Sequence, residues 1–290
     1  MSKCDELGLD ESKVNVLISY AHWDKGLTQN SAFKDKKINL FIDSGAFTNF
    51  TSGTDKIKVD DYCHFLTEHK DLVWRYINLD KIGDAKESEA NYQEMQSRGF
   101  KPVPVFTRDG LGNSSQRKKD LFEMCQTTDF LCLGGVAGGL HRTENQKYVT
   151  GCSHFLKKQK MPYHILGCGS PSIIKATRPY SCDSSSYCVG NKFGSMSLFF
   201  NGKFYAVNRK TIGSKKKVPT YVLRKYGMTD RHRKSSNLFE VQAYDFRMDR
   251  GILSYIYFQR YIREKFNANY FLAMSPAHMP HLERALSYGI

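Results

Sequence analysis

Residues 163–185 read YHILGCGSPSIIKATRPYSCDSS, and the order of apolar and polar stretches within them sets the fold. YHILGCG (163–169) and PYSCDSS (179–185) read as strands, and SPSIIKATR between them reads as a helix. A strand, a helix and a second strand in so short a span is the repeating unit of a parallel sheet. The alternation continues in both directions. Upstream lie NVLISY (15–20), NLFIDSG (39–45), VWRYINLD (73–80), KPVPVFT (101–107) and DFLCLGG (129–135); downstream lies ANYFLAM (268–274). VDDYCHFLTEH, ESEANYQEMQSRG, RKKDLFEMCQT and TGCSHFLKKQ supply helices between strands, with Gly99 as a stop after QEMQSR. Eight such strands in 290 residues favour a closed, TIM-like (β/α)8 barrel of the α/β class. A doubly wound open sheet is the rival, because strand order is invisible to periodicity. No GxGxxG follows the first strand, so dinucleotide binding has little support.

The interval between the seventh and eighth strands is the long one. Its FGSMSLFFNGKFYAV (193–207) reads as a hairpin with an Asn-Gly turn, and FEVQAYDFRMDRGILSYIYFQRYIREKF (239–266) reads as a long helix. The chain is therefore expected to be one barrel domain, 1–290, carrying an insertion over 190–240. The formal net charge is +14. Between Gly190 and Ser235 stand twelve lysines and arginines against one acid, Asp230, so +11 of that excess sits in the insertion. Lys215, Lys216, Lys217, Arg224, Arg231 and Arg233 are the candidates for gripping phosphates, with Phe204, Tyr205, Tyr221 and Tyr226 interleaved as stacking platforms. A solvated basic loop is the bland alternative.

No apolar run is long enough to span a membrane, and MSKCDELGLDESKVN lacks a signal-peptide core, so a soluble cytoplasmic protein is expected. The eight cysteines form no CxxC or CxC pair, which argues against a disulfide framework and a structural zinc site.

In barrels the reacting groups stand at the C-terminal ends of strands. Three carboxylates end strands there: Asp43 in LFIDSGAF, Asp80 in YINLD and Asp183 in YSCDSSS. A lone strand-end aspartate is often a helix cap; three at matching positions point to a site. Glycines gather at the same rim, and LGGVAGG (133–139) would let backbone approach a flat ligand closely. Phe47 could stack on a planar ring.

Asp43-Ser44-Gly45-Ala46-Phe47 resembles the DSGG(F/Y)Q signature of the tRNA-guanine transglycosylases. HILGCGSP (164–171) followed by PYSCDSSS (179–186) resembles their glycine-rich strand leading to the nucleophilic aspartate, and LCLGGVAGG resembles their base-contacting glycine pair. Together these motifs cover about residues 39–195 in the family's order. The resemblance implies that Asp183 attacks the sugar C1′ and holds a covalent glycosyl intermediate, while Asp43 moves protons at the departing and incoming bases. It further implies that Asp80 reads the purine, that Phe47 stacks on it, that Gly134 and Gly135 contact it through backbone, and that Ser44 supports the loop. No cofactor is implied.

The departures carry equal weight. The tRNA enzymes have a CxCxxC…H zinc site after the nucleophile, and nothing here matches it; Thr48 and Ala46 replace a glutamine and a glycine of the signature. Such features resemble the 7-deazaguanine DNA transglycosylases of phages and bacterial genomic islands, whose modification protects DNA from restriction. The partners so implied are DNA, with its guanine flipped out or single-stranded, and a free 7-deazaguanine base; a monomer is compatible with this, and no membrane is involved. A zinc-free tRNA enzyme, a non-catalytic nucleic-acid-binding barrel and a sugar-processing barrel are the alternatives.

Overall fold

The computed structural model describes residues 7–52, 57–107, 114–136 and 142–288. Eight strands form one all-parallel sheet: β1 (Val14–Ser19), β2 (Ile38–Asp43), β3 (Val73–Tyr76), β4 (Val105–Phe106), β5 (Leu131–Leu133), β6 (Tyr163–Ile165), β7 (Ser181–Ser184) and, after a hairpin of β8 (Met196–Phe200) and β9 (Lys203–Val207), β10 (Asn269–Met274). Each expected strand is present. Their order is β3-β2-β1-β10-β7-β6-β5-β4. Apart from β3 and β4, which stand at opposite edges, every strand of the sheet lies beside the next one along the chain, and the winding direction never reverses. A doubly wound sheet requires such a reversal, so that rival is excluded. The sheet instead curls into a half-barrel of the TIM-like α/β kind. Its two edges are tied beyond β3 by a parallel bridge between Ile77 and Val103, with Val103 N donating to Tyr76 O (2.8 Å) and Asn78 N to Val103 O (3.0 Å).

The near-continuous apolar runs follow from burial on both faces. Val16, Ile18, Leu40, Ile42 and Leu272 face outward into the main core beneath the helices. Leu17, Phe41, Ile77, Val103, Phe130, Cys132 and Phe271 alternate with them and fill the inside as a separate cluster. Trp74 seals its lower end, stacked on Phe271 (5.6 Å) and Tyr180 (6.2 Å), with its indole N–H donating to Leu7 O (2.8 Å).

Helices fill the connections as expected, including Val59–Glu68, Ala85–Ser97, Ser114–Thr127 and Pro171–Thr177; Arg142–Lys158 starts a full two turns earlier than its apolar pattern indicates. Gly99, at φ +84°, ends Ala85–Ser97 in the left-handed conformation. No helix among the described residues is long and apolar enough to cross a membrane.

The insertion forms the expected hairpin, with Asn201 (φ 46°) and Gly202 (φ 80°) making the tight turn between β8 and β9. It packs on the long helix Tyr244–Phe266 through Phe199 on Phe258 (5.2 Å) and Phe204 on Tyr255 (4.9 Å). That helix begins later than the expected 239. Arg247, from its first turn, donates to Leu238 O (2.8 Å) and Glu240 O (2.7 Å) and to Asn191 Oδ1 (2.8 Å). A guanidinium thus takes the carbonyls that another helical turn would use, and residues 236–243 stay in short 3₁₀ turns.

Candidate active site

Inward-facing positions of β2 and β7 end in carboxylates. Asp43 is the last residue of β2, in register with Ser19 of β1, and Asp183 is the third residue of β7, in register with Phe271 of β10. Asp80 follows β3. All three act on the fully buried thiol of Cys132 in β5, which is pushed up first by burial and then by Asp183, Asp43 and Asp80 in turn. The three carboxylates therefore converge on one mouth above the apolar plug.

Their surroundings differ. Asp43 is pushed up to about 6, chiefly by burial, with smaller upward pushes from Asp183 and Asp80; the Gly45 amide and Ser19 hydroxyl pull the other way. Gly45 N donates to Asp43 Oδ2 (3.1 Å). Gly45 has φ +92°, and a Cβ there would lie 2.6 Å from Ala21 Cβ, so the loop after β2 tolerates only glycine at this point. Ser44 beside it is fully buried, and its hydroxyl has no hydrogen-bond partner among the described residues. Asp80 is also raised by burial, against the opposing pull of the Ser88 hydroxyl and the Lys81 amide.

Asp183 is only 5% exposed. Its Oδ1 accepts from Gly167 N (2.9 Å) and meets His164 Nε2 (2.9 Å), while no described residue hydrogen-bonds Oδ2. His164 Nδ1 in turn meets Ser181 Oγ (2.8 Å). The imidazole is wholly buried and stands edge-on to Phe41 (5.1 Å) and Phe271 (5.9 Å), so it forms the polar lid of the aromatic plug. Sequence reading missed His164. The available signal was its alternation: Tyr163 and Ile165 face the outer core, so His164 must face inward, opposite Ser181 of β7. Replacing His164 with Leu would leave Ser181 and Asp183 underpaired in a buried site. Expected is a loss of about 2 kcal/mol of stability by denaturant titration; an unchanged midpoint would show the contacts to be dispensable.

The remaining expected site residues fall into place unevenly. The Gly134 amide is committed to Phe106 O (2.9 Å), and a Cβ there would press on Val105 at 2.9 Å, so close packing against β4 explains this glycine. Its N–H is not available to a base. Gly135 is exposed at φ +72°. Phe47 lies in the helix Ala46–Ser52, but its side chain lies outside the described residues, as do Gly138 and Gly139. A cleft of about 350 Å³ opens between that helix and the loop after β3, lined by Asn49, Phe50, Asp80 and Asn91 among others. Among the described residues, no group of three or more His, Cys, Asp or Glu gathers as metal ligands would.

In the insertion, Lys215, Lys216, Lys217, Arg224 and Arg231 are exposed. A hollow of about 840 Å³ lies beside the last two, lined also by Thr229, Asp230, His232 and Ser235. Arg233 differs from them. Its guanidinium donates to Ile212 O (2.6 Å), Val218 O (2.7 Å) and Asp230 Oδ1 (3.0 Å), which spends its donors on holding the insertion together. Arg233→Ala is expected to cost about 2 kcal/mol of stability, measured by chemical unfolding, because two carbonyls lose their partner.

The chain matches no protein-family model and no curated protein.

Proposed function

We propose that the chain is a base-exchanging transglycosylase that replaces guanine in DNA with a 7-deazaguanine, such as 7-cyano-7-deazaguanine, and thereby protects the DNA from restriction. The observation that carries this reading is the unlike pair in one mouth. Asp43 is a carboxyl held partly neutral near pH 6, suited to giving and taking protons. Asp183 has one oxygen fixed by two nitrogens and the other free to attack.

Asp183 Oδ2 attacks C1′ of the nucleotide, the C1′–N9 bond breaks, and the Asp43 carboxyl protonates the departing guanine. The incoming base then gives its N9 proton to the Asp43 carboxylate and attacks C1′. The ester bond breaks, and the Asp183 carboxylate is restored. Two displacements return the original configuration at the sugar. Proton and charge balance close without a cofactor.

In this reading the eight strands close into a complete (β/α)8 barrel, supported by the Ile77–Val103 bridge. The insertion lies in the connection that follows β7, the strand carrying Asp183, which supports a role for its exposed cations in holding the substrate's backbone. The protein works as a single copy in the cytoplasm, with DNA and the free base as its substrates.

Incubating the protein with DNA and labelled guanine tests the assignment. Expected are label in the DNA and a protein–DNA adduct that survives denaturation. Label in tRNA instead would make it a tRNA enzyme, and neither label nor adduct would leave a binding protein. Separately, Lys215–Lys217→Ala should weaken DNA binding and reduce the slope of log affinity against log salt by about 2–3. An unchanged slope would remove those lysines from the interface.

A further inference from the structure

The hairpin and the short helix Thr220–Lys225 share a surface on which aromatic rings alternate with amines. Phe200 of β8 lies 5.1 Å from Tyr221. Lys203 Nζ stands over the Tyr205 ring at 5.0 Å. Lys225 Nζ stands over Phe200 at 5.6 Å and over Tyr257 of the long helix at 3.9 Å. No carboxylate enters these contacts among the described residues. Tyr221 is 54% exposed; Phe200, Tyr205 and Tyr257 beside it are half-buried, each packed by one side against the core, and Tyr226 is buried.

We infer that this face binds unpaired nucleotides, so that the protein takes its DNA as a single strand. The reason is geometric. In a duplex every base face is covered by its neighbours, and a protein ring at the surface finds only sugars and phosphates. An exposed ring flanked by half-buried ones matches a base that is free to unstack, and the amines over the neighbouring rings match the phosphates on either side of it. A duplex-binding patch needs the amines alone. The choice of DNA over RNA rests on the proposed transglycosylase reading; the single-strand preference does not.

The test is fluorescence anisotropy of the intact protein with a labelled single-stranded DNA 20-mer, the same sequence as duplex, and its RNA equivalent. Single-stranded DNA should bind about tenfold more tightly than duplex. Tyr221→Ala should weaken single-strand binding about tenfold while leaving duplex binding alone, and Tyr221→Phe should restore it. The double variant Lys203→Ala, Lys225→Ala should reduce the single-strand salt slope by about 1.4. Tyr221 is exposed enough that these variants fold, which thermal melting checks. Equal affinity for single strand and duplex, or a Tyr221→Ala variant that binds like the parent, overturns the inference. Preference for single-stranded RNA over DNA overturns the choice of polymer. None of these readouts involves turnover, so absence of the Asp183 adduct would sink the catalytic reading and leave this one standing.

Discussion

Asp183→Asn should lower base exchange by about 10⁴-fold or more and abolish the denaturant-stable adduct, with little change in stability. The amide oxygen of Asn can still accept from Gly167 N and His164, so the local hydrogen bonds that place the side chain survive. What disappears is the carboxylate oxygen that, in the proposed exchange, forms the glycosyl ester. Without it, departure of guanine leaves an oxocarbenium-like sugar with nothing to trap it, and the two-step path closes. The comparison must be made on folded protein, so melting curves accompany the rate. An adduct in Asp183→Asn that matched the parent would place the nucleophile elsewhere.

The second large effect concerns Asp43 and has opposite signs for activity and stability. Its carboxyl titrates at about 6 in the folded chain, against 3.8 for the ordinary group. In the proposed exchange the protonated form donates to guanine, so the rate of guanine release should fall tenfold per pH unit above about 6. Asp43→Asn cannot supply that proton. It should lower exchange by roughly 10²–10⁴-fold and flatten this limb of the pH profile.

Stability runs the other way. Between pH 3.8 and about 6 the folded state holds a proton that the unfolded state has released, so stability falls as pH rises through that window. At pH 7 the penalty is about 3 kcal/mol, and Asp43→Asn should be more stable than the parent by that amount. The gain should vanish below the ordinary carboxylate range, where both forms are neutral. A variant less stable than its parent at neutral pH would show that Asp43 is a structural anchor and not a strained catalytic group.

Much of this architecture was legible in the sequence. Runs such as NLFIDSG and PYSCDSS carry strand and strand-end aspartate together, and the Asn201-Gly202 turn specifies its hairpin locally. What escaped depends on partners distant in the chain. The start of the long helix is set by Arg247 reaching Asn191, and nothing near residue 239 announces that. His164 reads as one more residue of an apolar strand until the register opposite Ser181 turns it toward Asp183. Arg233 is indistinguishable by charge from Arg231, yet Ile212 and Val218 occupy its donors. Gly134 reads as a base contact, whereas its amide is already bonded to Phe106. Charge and spacing identify candidates; only tertiary contacts show which of them are already engaged.

The aromatic filling beneath His164 has a consequence for traffic. Among the described residues, Phe41, Phe130, Phe271 and Trp74 fill the space beneath Asp43 and Asp183, so in the proposed closed barrel the hollow above them is a dead-end street with one door. Whatever enters must back out before a replacement arrives. In the proposed exchange two bases could not then queue from opposite sides; the departing one would compete with its successor for the same doorway, and accumulated product would slow the exchange by standing in the way.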